Sequence, residues 1–132
     1  MKNKVQPEAF PYEYRLILSQ KYNQINKTWY TNLRLETFQE FTNFQYAITV
    51  DDKQQNDTLR LKITGLTTPK MLMGGSGPGV FEKEYFRLKG KYKIEIINID
   101  KSKNVFELEF RKRTISVIKS PKNKFVDLFI LK

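Results

Sequence analysis

Cysteine and histidine are both absent from this sequence of 132 residues. Without cysteine the chain can form no disulfide, thiolate nucleophile or Cys-based zinc site. Without histidine it lacks the commonest general base and a frequent metal ligand. We therefore predict that the protein is not an enzyme and needs no metal or other cofactor.

Long apolar runs are also missing. The opening residues, MKNKVQPEAFPYEYR, contain no signal-like apolar segment, and no stretch approaches the ~20 residues that a helix needs to cross a bilayer. We expect a soluble chain with no membrane span, either cytoplasmic or the mature part of an exported protein. The sequence specifies neither the compartment nor the oligomeric state.

Composition and length suit one folded unit. Hydrophobic residues make up 39% of the chain and aromatic residues 14%, which is enough for a packed core and unlike the composition of a disordered chain. We predict a single domain over residues 1–132, in which residues 1–10 form a flexible N-terminal arm.

Positive charge is abundant and unevenly distributed. The formal net charge is +10, and 15 of the 24 basic residues lie in residues 67–132 together with 7 of the 14 acidic ones. The C-terminal half is therefore the more basic. One interpretation is that this half binds an anionic partner, and the other is that it is a solvated lysine-rich surface.

Apolar and polar residues alternate with a period of two along most of the chain, which is the pattern of half-buried strands. Turn-forming clusters such as DDKQQND, DKSKN and SPKNK separate these segments. The alternation predicts nine strands: Tyr12–Ser19, Trp29–Thr37, Phe44–Val50, Thr58–Thr64, Val80–Leu88, Lys91–Ile99, Val105–Arg111, Thr114–Lys119 and Phe125–Leu131.

A short helix competes with this pattern at one place. Phe38, Phe41 and Phe44 recur at every third residue, which suits one face of a helix, although Thr, Asn and Phe are mediocre helix formers. A helical turn there is the alternative to strand.

The segment GKYKIEI, Gly90–Ile96, is similar to the G-x-Y-x-I-x-I pattern of late strands in immunoglobulin-like sandwiches. The similarity covers seven residues and lacks the cysteine pair of antibody domains, and it implies a binding or structural module. We predict an all-β fold, an antiparallel β-sandwich of eight to nine strands that is immunoglobulin-like in general architecture, with a small β-barrel as the alternative.

The hairpin at residues 91–111 has a predicted register. A three-residue loop of Asp100, Lys101 and Ser102 gives every apolar residue an apolar partner, with Tyr92 opposite Phe110, and sets Asn98 opposite Asn104. The outer face then brings together four cations at the open end of the hairpin, with Lys91 facing Arg111 and Lys89 facing Arg113. Splayed strands explain this arrangement, and so does an anion site.

A glycine-rich segment, MLMGGSGPG, follows the fourth predicted strand. It lacks the Lys-Ser/Thr pair of a phosphate-binding P-loop and the third glycine of a dinucleotide-binding loop. The connection from Leu66 to Gly79 is nevertheless long, and such loops are often functional. Three interpretations of this segment are possible: it packs onto the core, it contacts a partner, or it is disordered. Its candidate binding residues are Met71, Leu72, Met73, Gly74, Gly75, Ser76 and Gly77.

These features predict a non-enzymatic binding or structural module that contacts another protein or a cell-envelope component. The first alternative is a domain that binds a polyanion or nucleic acid through Lys89, Lys91, Arg111 and Arg113. In that alternative Trp29, Tyr85 and Tyr92 are the candidate stacking surfaces. The second alternative is a small barrel that binds an apolar ligand, with Met71 to Met73 at its mouth.

Overall fold

The computed structural model describes residues 12–42, 46–67 and 77–131. Each of the nine predicted strands is present, so the all-β class is confirmed. The predicted N-terminal arm lies outside the described residues. The strands are β1 (Tyr14–Asn23), β2 (Thr28–Phe41), β3 (Ala47–Gln55), β4 (Thr58–Thr67), β5 (Gly77–Tyr85), β6 (Gly90–Ile97), β7 (Lys103–Phe110), β8 (Ile115–Lys119) and β9 (Val126–Leu131).

The nine strands form one sheet in the order β8-β7-β6-β4-β3-β5-β2-β1-β9. Five neighbouring pairs are antiparallel, whereas β1–β9, β3–β5 and β4–β6 are parallel. The prediction of a purely antiparallel arrangement is therefore wrong. Mixed pairing arises because the chain leaves β4 for β5 on the far side of β3 before it returns as β6 beside β4.

The sheet curls until its two halves face each other and is nearly closed, like a barrel. The half formed by β8, β7, β6, β4 and β3 joins the half formed by β5, β2, β1 and β9 at a single residue pair, Ala47 with Val80. At the opposite side β8 comes into contact with β1. The inward-facing side chains of both halves share one core, in which Leu16, Leu33 and Ile94 are fully buried.

The gap between the β7–β8 hairpin and the β1–β9 pair, here called the seam, is bridged by a buried side chain. Asn104 on β7 is 1% exposed. Its Oδ1 accepts hydrogen bonds from the N–H groups of Phe125 (2.9 Å) and Val126 (3.2 Å), and its Nδ2 donates to the carbonyl of Asn123 (2.9 Å). One amide thus replaces part of the backbone ladder that would otherwise join the two edges.

Strand β2 continues as far as Phe41, so the helical alternative is wrong for Phe38 and Phe41, while Phe44 lies outside the described residues. The sequence period breaks there because β2 bulges against β5, between Glu36 and Glu40. At the bulge the Thr37 hydroxyl accepts a hydrogen bond from the Gly79 N–H (2.8 Å) and donates one to the Gln39 carbonyl (2.7 Å). The side chain supplies the bonds that the interrupted ladder lacks.

The predicted register of the β6–β7 hairpin is wrong by two residues. Tyr92 faces Leu108 rather than Phe110, and the three-residue loop consists of Ile99, Asp100 and Lys101. Asp100 fixes this turn by accepting a hydrogen bond from the Ser102 N–H (2.9 Å), and Lys101 adopts a positive φ of 74°. A shift of two residues leaves every side chain on its predicted face, so the inner and outer faces are as expected.

The described residues include no helix with the length and apolar character needed to cross a membrane.

Candidate functional site

At one end of the sheet all the odd-numbered strands β1 to β7 finish and the even-numbered strands begin. Turns from distant parts of the chain therefore meet there and enclose a cleft of about 240 Å³. We call it the mouth cleft, and it is lined by Gln20, Trp29, Tyr30, Tyr85, Phe86, Leu88, Lys89, Phe110, Arg111 and Lys112.

The floor of the mouth cleft is apolar. Leu88 and Phe110 are almost fully buried beneath it. The Tyr30 and Phe86 rings form one wall, with their centroids 5.0 Å apart and their planes 30° apart. Phe86 remains 44% exposed. A large aromatic side chain at that exposure leaves apolar surface free for contact with a ligand or partner.

The rim of the mouth cleft is basic. The described residues that line it include three cations and no carboxylate. Lys89, Arg111 and Lys112 line the cleft, and the guanidinium carbon of Arg113 lies 5.7 Å from the centroid of the Trp29 ring. Cations therefore surround an apolar floor.

Among the described residues the rim cations have little counter-charge. Arg111 has a contact of 3.5 Å with Glu109, and its side chain is 69% exposed. None of the ion pairs formed within residues 12–42, 46–67 and 77–131 involves Lys89, Lys112 or Arg113. The positive charge of the rim is thus left largely to solvent or to a partner.

The turn that carries Arg111 is fixed in place from two directions. The Arg111 N–H donates to the Thr114 carbonyl (2.9 Å), which closes the β7–β8 turn. The Arg111 carbonyl accepts a hydrogen bond from Gln20 Nε2 on β1 (2.6 Å). Gln20 is itself held by the Thr31 hydroxyl, which donates to its Oε1. The backbone that carries the Arg111 side chain is therefore held in place by hydrogen bonds at both its N–H and its carbonyl group.

The structure separates the four cations that the predicted register of the β6–β7 hairpin brings together. Lys89 and Arg111 both line the mouth cleft, and Arg113 lies beside it on Trp29. Lys91 instead faces Glu109 on the outer surface and lines a different cleft, together with Asp57. The predicted pairing of Lys91 with Arg111 is wrong, because the register differs by two residues.

Most of the glycine-rich segment, Met71 to Ser76, lies outside the described residues. Gly77 begins β5 with a φ of 152°, a conformation that side chains rarely adopt. Gly79 is buried, and a Cβ atom there would lie 2.9 Å from Leu66 Cδ2. Gly77 therefore permits the backbone conformation at the start of β5, and Gly79 permits its close packing.

Two of the three predicted stacking residues, Tyr85 and Tyr92, are buried and hydrogen-bonded within the fold. Tyr85 is buried, and its hydroxyl donates to Asp52 (2.7 Å), which also accepts from Lys83 Nζ (2.8 Å). Burial and this bond raise the pKa of Tyr85. Burial opposes ionisation of Asp52, but the bonds from Lys83 and Tyr85 outweigh it and lower the pKa of that carboxyl. The hydroxyl of the equally buried Tyr92 donates to the Asn56 carbonyl (3.0 Å).

Sequence reasoning placed Trp29 at the site but missed Tyr30, Phe86 and Lys112. Tyr30 precedes the buried Thr31 on β2, and Phe86 follows the buried Tyr85 at the end of β5. Alternation therefore indicates an outward-facing side chain for each, but it does not show that the two rings meet. A usable signal was present in YFRLKGK, residues 85–91, where aromatic, leucine and basic residues interleave without an acidic one.

No group of carboxylates in residues 12–42, 46–67 and 77–131 is arranged to hold a metal ion. Comparison of the chain with known protein families, curated proteins and solved structures gives no match.

Proposed function

We propose that this protein is a non-enzymatic binding module and that the mouth cleft is its contact surface for an anionic partner. The observation that carries the proposal is the combination of an apolar floor with a basic rim. Lys89 and Lys112 have no ion-pair partner among the described residues, and Phe86, which lines the same cleft, is 44% exposed.

An anionic partner would relieve the self-repulsion of the rim. Like charges held close together disfavour the arrangement that holds them, and a bound counter-charge removes this cost. The Arg111 turn is fixed by Gln20 and Thr114, so little of its backbone would have to be ordered on binding. Such preorganisation reduces the entropic cost of association.

The apolar floor also restricts the partner. A ligand that only carried charge would leave the exposed faces of Phe86 and Tyr30 in water. A macromolecule that offers a flat or apolar group beside its negative charge would cover both parts of the cleft. Another protein, a cell-envelope component and a nucleic acid can all meet this requirement. The apolar-ligand alternative has less support, because tightly buried leucine and isoleucine side chains fill the space between the two halves of the sheet.

For the architecture, we propose a partly open barrel rather than two independent layers. The support is that the single pair Ala47–Val80 continues the sheet on one side, while Asn104 bridges the seam on the other. The immunoglobulin-like sandwich stays a prediction of the sequence.

Charge reversal tests the proposed function. The double variant Lys89→Glu/Lys112→Glu should lose most of its binding to anionic probes, namely polyphosphate, an acidic peptide and a single-stranded oligonucleotide, measured by fluorescence anisotropy. The matched control is Lys122→Glu/Lys124→Glu, which makes the same charge change at exposed residues of the β8–β9 connection, at the opposite end of the sheet. Equal losses in both variants, or no binding of any probe to the unmodified protein at ~50 mM salt, would contradict the proposal.

A further inference from the structure

We propose that the anionic partner of the mouth cleft is a single-stranded nucleic acid, with a base against the exposed Phe86 ring, which Tyr30 supports from behind, and backbone phosphates on Lys89, Arg111 and Lys112. This inference rests on the proposed function, since it names the partner of the same cleft.

The exposed part of the Phe86 ring is the stacking platform of the aromatic wall. Tyr30 and Phe86 pack on each other, 30° from parallel at a centroid distance of 5.0 Å, so Tyr30 covers part of Phe86 and holds its ring in place. The uncovered surface of Phe86 is of the kind on which bases stack in single-strand binding proteins. Phe86 is 44% exposed. Trp29 contributes less, because Tyr22 and Arg113 already contact its ring.

The size of the cleft favours a single planar group. Its volume of about 240 Å³ falls below the range of typical small-molecule sites, roughly 300–1,000 Å³. One base fits such a space, whereas the bases of a duplex are paired and stacked and cannot enter it. The cleft therefore selects for single strands.

The cations lie where a backbone would pass. Lys89 precedes β6, while Arg111 and Lys112 follow β7, so they come from two different segments around the same floor. A phosphate backbone carries charge at every nucleotide and can contact both segments while one base enters the cleft. An acidic peptide would satisfy the cations, but it carries a flat ring only where an aromatic residue occurs, whereas every nucleotide carries a base beside its phosphate, and so the observations favour nucleic acid.

Salt dependence provides the first measurement. A fluorescent 12-nucleotide oligo(dT) should bind the full chain, and three phosphate contacts should give a slope of about −2 in log K against log salt concentration, since each contact on a single strand contributes ~0.7. A blunt duplex of the same length should bind more weakly. A duplex that binds as tightly as the single strand would overturn the inference.

Removal of the aromatic wall provides the second measurement. Phe86→Ala should weaken oligo(dT) binding by roughly 5- to 150-fold, the effect of losing one base-stacking contact. Phe86→Trp should preserve binding, because it keeps a flat ring. The matched control is Phe129→Ala on β9, which removes a phenylalanine of nearly equal exposure, 43%, away from the cleft and should change binding little.

Two outcomes would overturn the inference and leave the proposed function standing. In the first, polyphosphate binds as tightly as oligo(dT) and Phe86→Ala has no effect, so only charge matters. In the second, an acidic peptide binds in a manner that Lys89→Glu/Lys112→Glu abolishes, while oligo(dT) does not bind. If none of the three probes binds, the inference and the proposed function both fall.

Discussion

Asn104 offers the sharpest test of how the nearly closed sheet is held together. Its side chain is 1% exposed and accounts for the polar contacts between β7 and the start of β9 described above. In the variant Asn104→Ala the Phe125 and Val126 N–H groups would lose their acceptor. Val126 is fully buried, so water could not easily replace that acceptor.

The size of the effect follows from the number of bonds. Asn104 makes four hydrogen bonds, two as acceptor and two as donor, the fourth being to the Lys103 carbonyl (3.1 Å). A typical hydrogen bond contributes about 1 kcal/mol net, and a buried donor left unsatisfied costs about 1–3 kcal/mol. We therefore expect Asn104→Ala to lower the free energy of unfolding by about 3–5 kcal/mol, a large part of the stability of a domain of this size.

Urea unfolding followed by circular dichroism would measure this loss. The control is Asn32→Ala, which removes a single exposed bond to Glu82 (3.0 Å) and should cost less than about 1 kcal/mol. Hydrogen exchange should also show that the amides of β9 lose more protection than those of β4. If Asn104→Ala lowers the free energy of unfolding no more than Asn32→Ala does, the role of Asn104 in bridging the seam is refuted.

Two further predictions concern an ion pair and a turn. Burial opposes ionisation of Glu36, but hydrogen bonds from Arg34 (2.8 Å) and Arg15 (2.7 Å) lower its pKa. Its stabilising effect should therefore be present above the ordinary glutamate pKa and be lost as pH falls through the lower folded value. Glu36→Gln should cost about 1–2 kcal/mol at pH 7 and flatten that acid dependence in urea titrations, whereas an unchanged pH profile would contradict this reasoning. Gly90 has a φ of 71° and open space around it. Gly90→Ala should therefore lower the free energy of unfolding by about 1 kcal/mol, measured by thermal unfolding, and Gly90→Asn should lower it by less. Equal stability of all three proteins would argue against backbone strain at this position.

The strands could be predicted from the sequence because burial in this fold alternates residue by residue. In β4, for example, Leu59, Leu61 and Ile63 are buried, while Arg60 and Lys62 between them are exposed. Alternation of this kind depends only on local sequence, so it also identified which face of β6 and β7 turns inward.

Pairing and register depend on partners far along the chain, which alternation does not reveal. The register of the β6–β7 hairpin was chosen to match apolar residues within the hairpin and left Asn98 opposite Asn104. In the structure each amide has distant partners instead, Asn98 with Glu13 and Tyr14, and Asn104 with residues 123–126. The buried polar groups therefore favour the observed register, which the matching of apolar residues within the hairpin does not predict.

The candidate site was only partly predictable for the same reason. The predicted hairpin register pointed to Lys89 and Arg111, which do share the mouth cleft, although it paired them with Arg113 and Lys91. Tyr30 and Phe86 come from β2 and the end of β5, more than 50 residues apart in sequence, and only the β2–β5 pairing brings their rings together.

The most direct measurement of the central claim uses Trp29, which lines the mouth cleft and is the single tryptophan of the chain. Its fluorescence should change when oligo(dT) or another bound anionic probe covers the cleft, its quenching by acrylamide should decrease, and added salt should reverse both effects. Binding detected by anisotropy together with unchanged Trp29 emission and unchanged quenching would mean that the partner binds elsewhere, and would contradict the assignment of the mouth cleft as the binding surface.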